Sequence, residues 1–195
     1  MAARLVVGLG NPGPEYAGTR HNLGFLVLER LAESLAAPWR KQGRSLVARA
    51  EIGTSGGAEA AVLARPQTFM NLSGRAVKEL LDEFGPDTPW LVVSDDFHLP
   101  LGRMRCRAAG SHGGHNGLAS IIESLPGREV PRLRMGIGEL PIGRPAEEYV
   151  LQTFKRSEQA EVKAMVEHAA QLLRDWLDHG DLGRLINAAN APPPA

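Results

Sequence analysis

The apolar run Leu5–Val7 opens directly into GLGNPGPEYAGTRHNLGF (residues 8–25), a stretch crowded with glycine and proline. No other part of the chain constrains the fold as strongly. Gly8, Gly10 and Gly13 spell G-x-G-x-x-G, the dinucleotide-binding fingerprint. That reading needs a helix to begin inside the motif, with its N-terminus facing a pyrophosphate. Pro12 and Pro14 oppose it, because the residue before a proline is pushed away from helical angles. The acidic residue expected roughly 20 positions further on should end a second strand. Glu29 is the nearest candidate, and it sits in FLVLERLAESL, which has helical character. The competing reading is a loop, shaped by its glycines, that displays Asn11, Tyr16 and His21 in a cleft.

Further strands are expected at Ser45–Ile52, Ala60–Ala64, Trp90–Val93, Arg103–Arg107 and Leu133–Ile137. GTSGG (53–57) is a turn signal that makes the first two of these a hairpin. Helices are expected at Leu23–Ala36, Leu72–Phe84 and Leu118–Leu125. A longer one, Glu158–Asp178, carries Val162, Met165, Val166, Ala169, Leu172, Leu173 and Trp176 at helical spacing. Gly85 and Gly180 are placed to end helices, and Ser157 to cap one. Strands alternating with helices, plus a hairpin, predict an α/β protein with a twisted mixed sheet flanked by helices. Residues 1–190 read as a single domain, and 191–195, APPPA, as a flexible tail.

Lysine plus arginine balances aspartate plus glutamate at 22 each, so any polyanionic partner must be met by a local patch. Cys106 is the only cysteine, which suits a reducing compartment. The N-terminal apolar run is too short for a signal peptide, and no run approaches a membrane span. A cytoplasmic protein without membrane contact is expected.

His21 follows the first strand and its loop, while Asp95 and Asp96 follow the apolar WLVVS. If these two strands run parallel, His21 and an aspartate meet at the carboxyl edge of the sheet, where such folds bind ligands. The carboxylate would then fix the imidazole tautomer and leave the other ring nitrogen as a general base. The plainer alternative is that His21 packs and Asp95 closes a turn. Asn11, Asn71 and Asn116 each stand at a loop end. The last two suit helix N-caps, and all three amides could read a peptide backbone or polarise a carbonyl. His112 and His115 form H-x-x-H in a glycine loop near Cys106, which lacks the rigid spacing of a helical zinc motif. Arg103, Arg105 and Arg107 alternate with Met104 and Cys106, and Arg132 and Arg134 repeat the pattern. On strands this puts guanidinium groups on one face, as a phosphate-backbone contact would require. With aromatics at 5%, stacking platforms for bases are scarce.

GLGNPGPEYAGTRHNLGF, RPQTFMNLSGRAV, VVSDDFHLPLGRMRCR, GSHGGHNGLASI and RLRMGIG, in this order, resemble the sequence blocks of bacterial peptidyl-tRNA hydrolases. YVLQTF resembles the segment before that family's lid helix. The resemblance implies a monomeric esterase, needing neither metal nor nucleotide cofactor, that cleaves the ester between a peptide and the 3′ ribose of tRNA. It implies that His21 activates water and that Asp95 orients its ring. Asn11, Asn71 and Asn116 match the substrate-binding and transition-state-stabilising asparagines, and Tyr16 and Met70 the cleft lining. Arg107 and Arg134, with Arg105 beside them, match the residues that grip tRNA phosphates. His98 departs from the pattern, standing where the family is expected to carry an acidic residue. A non-catalytic RNA-binding relative of the same fold is the alternative reading. A nicotinamide-dependent oxidoreductase built on the glycine motif is the more distant one.

Overall fold

A computed structural model describes residues 3–54 and 57–192. The chain runs β1 (Ala3–Gly8), α1 (Leu23–Ser34), β2 (Trp39–Gln42), β3 (Ser45–Thr54), β4 (Gly57–Pro66), α2 (Ser73–Phe84), β5 (Trp90–Asp96) and β6 (Met104–Arg107). It continues through α3 (Asn116–Ser124), β7 (Arg132–Gly136), α4 (Ala146–Val150), α5 (Gln159–His179) and α6 (Leu182–Asn190). The strands form one mixed sheet in the order β2-β3-β4-β1-β5-β7-β6. β1 lies parallel to β4 and β5, and β5 parallel to β7, while β2, β3 and β6 pair antiparallel. The α/β expectation and the β3–β4 hairpin are therefore met. Ser55 and Gly56 of the expected GTSGG turn lie outside the described residues, as do residues 193–195 of the expected tail.

Period-two alternation divides each central strand between two cores. Val6, Leu91 and Val93 pack with Leu28 and Leu31 of α1 and with Leu173 and Trp176 of α5. Leu5, Val7 and Val92 face the other way, onto Val77 and Leu80 of α2 and Leu118 and Ile121 of α3. Each fully buried aliphatic side chain of this kind contributes about 1.5–3 kcal/mol. Both faces of β5 are covered, which is why WLVVS reads as an unbroken apolar run.

Between β1 and α1 the chain makes two short 3-10 turns, Pro14–Tyr16 and Arg20–Asn22. No helix opens inside the glycine motif, so the fingerprint geometry for a pyrophosphate is missing. The glycines serve close approach instead. A Cβ on Gly8 would lie 2.4 Å from the carbonyl oxygen of Gly24, and one on Gly24 2.5 Å from the Leu9 nitrogen and 2.6 Å from the Val93 oxygen. This mutual contact seats the start of α1 directly on the carboxyl ends of β1 and β5.

Several local expectations are corrected. α2 begins only after a 3-10 turn at Met70–Leu72, so Asn71 lies in that turn and Leu72 takes the cap position. Asn116 is the first residue of α3, which is capped by the ring of His115. Ser157 does not cap α5, because Glu158 occupies that position. Arg103 falls outside β6. Gly85 and Gly180 do end their helices, at φ +101° and +74°. β2 has no alternating pattern to betray it, being WRKQ, and α4 is too short for a clear helical period, whereas α6 carries one in Leu182, Leu185, Ile186 and Ala189 that the expectations omit.

Candidate active site

His21 and Asp95 reach one another because β1 and β5 are parallel neighbours, with Gly8 opposite Val93. Both chains therefore leave the sheet at the same edge. His21 Nδ1 lies 2.8 Å from Asp95 Oδ1, and both side chains are buried. A second imidazole reaches the same oxygen: His115 Nε2 lies 3.0 Å from Asp95 Oδ1. Its Nδ1 accepts hydrogen bonds from the backbone N–H groups of Gly117 and Leu118, at 3.1 and 3.3 Å. A nitrogen that accepts carries no proton, so His115 holds its proton on Nε2 and donates it to the carboxylate. His21 donates from Nδ1, which leaves its Nε2 as the unprotonated nitrogen. Burial by itself would raise the Asp95 pKa, but the two imidazoles, His21 and then His115, hold it below the ordinary carboxylate range.

Asn11 is buried and is tied to Asn22, the residue that follows His21. Its backbone N–H donates to Asn22 Oδ1 (2.8 Å), and Asn22 Nδ2 donates back to the Asn11 carbonyl (2.9 Å). The Asn11 side-chain oxygen accepts from the backbone N–H of Met70 at 2.8 Å. That bond fixes which way the amide points and, among the described residues, leaves Nδ2 without a protein partner. Asn71 and Asn116 flank Met70 and His115 in the chain, and both are exposed. Tyr16 is half-buried, its ring edge-on to Phe69 at 6.4 Å, and Phe69 is 55% exposed.

Arg105 and Arg107 project from β6 into solvent on either side of the buried Cys106, whose thiol burial pushes up to about 12. Arg105 stands opposite Arg134, and Arg107 opposite Arg132. Arg134 pairs with Asp96 at 2.5 Å, which ties this basic edge to the residue next to Asp95. Arg132 breaks the expected pattern. It is 2% exposed and, among the described residues, its side chain has neither a hydrogen bond nor an ion pair. It lies beneath the glycine loop, where a Cβ on Gly110 would approach its Nη1 to 2.9 Å. Burial, then Arg134 and Arg107, push its pKa down.

Of the H-x-x-H pair only His115 reaches the dyad. His112 is exposed and accepts from the Gly114 N–H. His98 is also exposed. Its backbone N–H donates to Asp96 Oδ1, and its ring packs against Phe97 with centroids 4.4 Å apart. Among the described residues, His21, Asp95 and His115 are the group with cation-ligating chemistry. Their facing atoms are engaged with each other as donors and a shared acceptor, and a cation would have to displace both ring protons. The sequence reading overlooked His115 as a dyad partner, Asn22 as the support of Asn11, and the burial of Arg132. The position of His115 immediately before Asn116 was the one available signal.

The model of the family described as peptidyl-tRNA hydrolase matches residues 5–194. A peptidyl-tRNA hydrolase of Shouchella clausii is 42% identical over 177 residues, covering 90% of this chain and 94% of its own. One from Parasynechococcus marenigrum is 46% identical over 202 residues, covering 98% and 96%. The crystal structure of peptidyl-tRNA hydrolase from Acinetobacter baumannii superposes with a TM-score of 0.87 at 33% identity, covering 99% of this chain and 97% of that one. On these matches, and with the same ordered blocks surrounding its buried His–Asp–His cluster, the chain belongs to the peptidyl-tRNA hydrolase family.

Proposed function

We propose that the protein hydrolyses the ester joining a peptide, or an N-blocked amino acid, to the 3′ ribose of tRNA, and so recycles tRNA from aborted translation. The observation that carries this reading is the 2.8 Å contact of His21 Nδ1 with Asp95, which leaves Nε2 free; Asn11, held by Asn22 next to His21 in the chain, has an amide donor unused. His21 Nε2 takes a proton from water as the oxygen attacks the ester carbonyl carbon. Asp95 holds the ring and stabilises the imidazolium that forms. Asn11 Nδ2 donates to the developing oxyanion. The ring then returns its proton to the departing ribose oxygen, and the peptide leaves as a carboxylic acid.

Asn71 and Asn116, exposed at the rim, pair with the peptide backbone, and Tyr16 and Met70 line its path. This set explains selectivity. A peptidyl group presents an amide that these side chains can pair with, where a single aminoacyl group presents an ammonium that must be stripped of its water to make the same approach. Arg105, Arg107 and Arg134 hold tRNA phosphates. No helix among the described residues is long and apolar enough to cross a membrane. In this reading the protein acts as a cytoplasmic, single-domain monomer.

The test is release of free peptide from N-acetylaminoacyl-tRNA, with and without EDTA, against His21→Ala. Cleavage that survives EDTA and disappears in the variant supports metal-free hydrolysis through His21. Intact tRNA binding without cleavage by the wild-type protein would instead favour the RNA-binding relative.

A further inference from the structure

Arg20 precedes the base in the chain and is 2% exposed, yet no step above uses it. Its guanidinium lies between two aromatic rings, 4.8 Å from the centroid of Tyr149 and 4.7 Å from that of Phe154. Nη1 donates to the carbonyl of Ile137 at 2.9 Å, just past β7. Nη2 donates to both carboxylate oxygens of Glu158, at 3.1 and 2.8 Å, at the head of α5. The backbone N–H of Arg20 donates to Gln152, and Thr19 bridges to Thr153. One side chain thus joins the His21 turn to the end of β7, to the segment after α4 and to α5.

We propose that Arg20 is a positioning residue for the reaction, holding the elements that carry His21 and Asp95 at the spacing their hydrogen bond requires. The inference rests on the reading of His21 as the base. His21 sits in a 3-10 turn, whose few and poorly aligned hydrogen bonds cannot hold a side chain in place unaided. Asp95 sits at the end of β5. The backbone N–H of Ile137 donates to the carbonyl of Asp96 at 3.1 Å, and the Ile137 carbonyl receives Arg20 Nη1. A continuous chain of contacts therefore runs from the turn that carries the base, through the guanidinium and the backbone of Ile137, to the neighbour of the orienting carboxylate. Tyr149 Oη also donates to the Ile137 carbonyl, at 2.9 Å, and so fixes the point on which Nη1 pulls. A planar fork stacked between two rings suits this task. An ammonium on a flexible stem cannot make the same set of contacts.

The experiment uses the full-length protein with N-acetylaminoacyl-tRNA and compares Arg20→Lys, Glu158→Gln and Tyr149→Phe with wild type. Arg20→Lys is expected to lower kcat by ~10- to 100-fold and to leave KM within about twofold, since substrate contacts are untouched. The low-field ring N–H proton resonance of the His21–Asp95 hydrogen bond should weaken or move upfield. On the residual rate of His21→Ala, adding Arg20→Lys should cost nothing further, because the two act as a unit. Wild-type kcat and an unchanged resonance in Arg20→Lys, even with a lowered melting temperature, would reduce Arg20 to a packing residue. So would losses that multiply in the double variant. If Arg20→Lys does not fold, Tyr149→Phe and Glu158→Gln decide: a selective fall in kcat supports the inference and an unchanged kcat overturns it. Substantial turnover by His21→Ala alone would sink the reading of the base, whatever the Arg20 variants do.

Discussion

His21 and His115 face each other across a single oxygen of Asp95, their ring centroids 4.9 Å apart, and only His21 has a ring nitrogen to spare. His115 spends Nε2 on the carboxylate and Nδ1 on the first backbone N–H groups of α3. The asymmetry assigns the roles: one imidazole is free to move a proton, and the other is locked as a neutral donor.

The two histidines should therefore differ sharply on substitution. His21→Ala is expected to lose at least roughly 10²-fold in single-turnover rate while still binding tRNA. His115→Ala removes the cap of α3, which should cost about 1 kcal/mol of stability in urea titrations, with a smaller loss of rate. Equal rate losses in the two variants would contradict the assignment.

Acid should destabilise the protein partly through Asp95. Its folded pKa lies below the unfolded value of about 3.9, so as pH falls the unfolded chain takes up the proton first. The stability it contributes is complete above about pH 4 and is lost as pH falls through the folded value. Glu158, held down by the Lys155 backbone N–H and Arg20 against the effect of its own burial, acts in the same direction. Asp95→Asn should flatten the fall of urea midpoints below about pH 4. An unchanged slope would assign the acid sensitivity to other carboxylates.

Gly24→Ala places a methyl against the Leu9 nitrogen and the Val93 carbonyl, both backbone atoms that cannot rotate away. The start of α1 must shift, at a cost of about 1–3 kcal/mol. Because the His21 turn leads directly into α1, kcat should fall along with thermal stability. Wild-type activity in a destabilised Gly24→Ala would show that the seat of α1 does not set the dyad.

The arginines separate by burial. Arg107→Ala and Arg134→Ala should each weaken tRNA binding and reduce its salt dependence by about one unit of slope, with small ester substrates unaffected. Arg132→Leu removes a buried cation that has no counter-charge among the described residues. It should raise stability by about 1–3 kcal/mol and leave tRNA binding unchanged. A loss of stability in Arg132→Leu would show that the packing of the Arg132 side chain outweighs the cost of burying its charge.

Much of this architecture is local in origin and so could be read along the chain. Pro12 and Pro14 oppose a helix in the glycine motif, the apolar WLVVS marks a buried strand, and Gly85 and Gly180 mark helix ends. Pairing His21 with Asp95 needed one further condition, the parallel alignment of β1 and β5, which is met. The β2 strand was hidden because an edge strand of polar residues carries no alternation.

The amino-acid sequence by itself determined the main strands and helices, the carboxyl edge on which the site is built and the residue types that gather there, because turn chemistry and hydrophobic period act over a few neighbouring residues. Only the tertiary structure decided which histidine keeps a free nitrogen, which arginine is buried, and how Arg20 is held. Each of these depends on a partner brought close by the sheet order: Asp95 to His115, the Gly110 loop to Arg132, and Ile137 and Glu158 to Arg20. Protonation and desolvation respond to that assembled surrounding, and no short-range pattern encodes it.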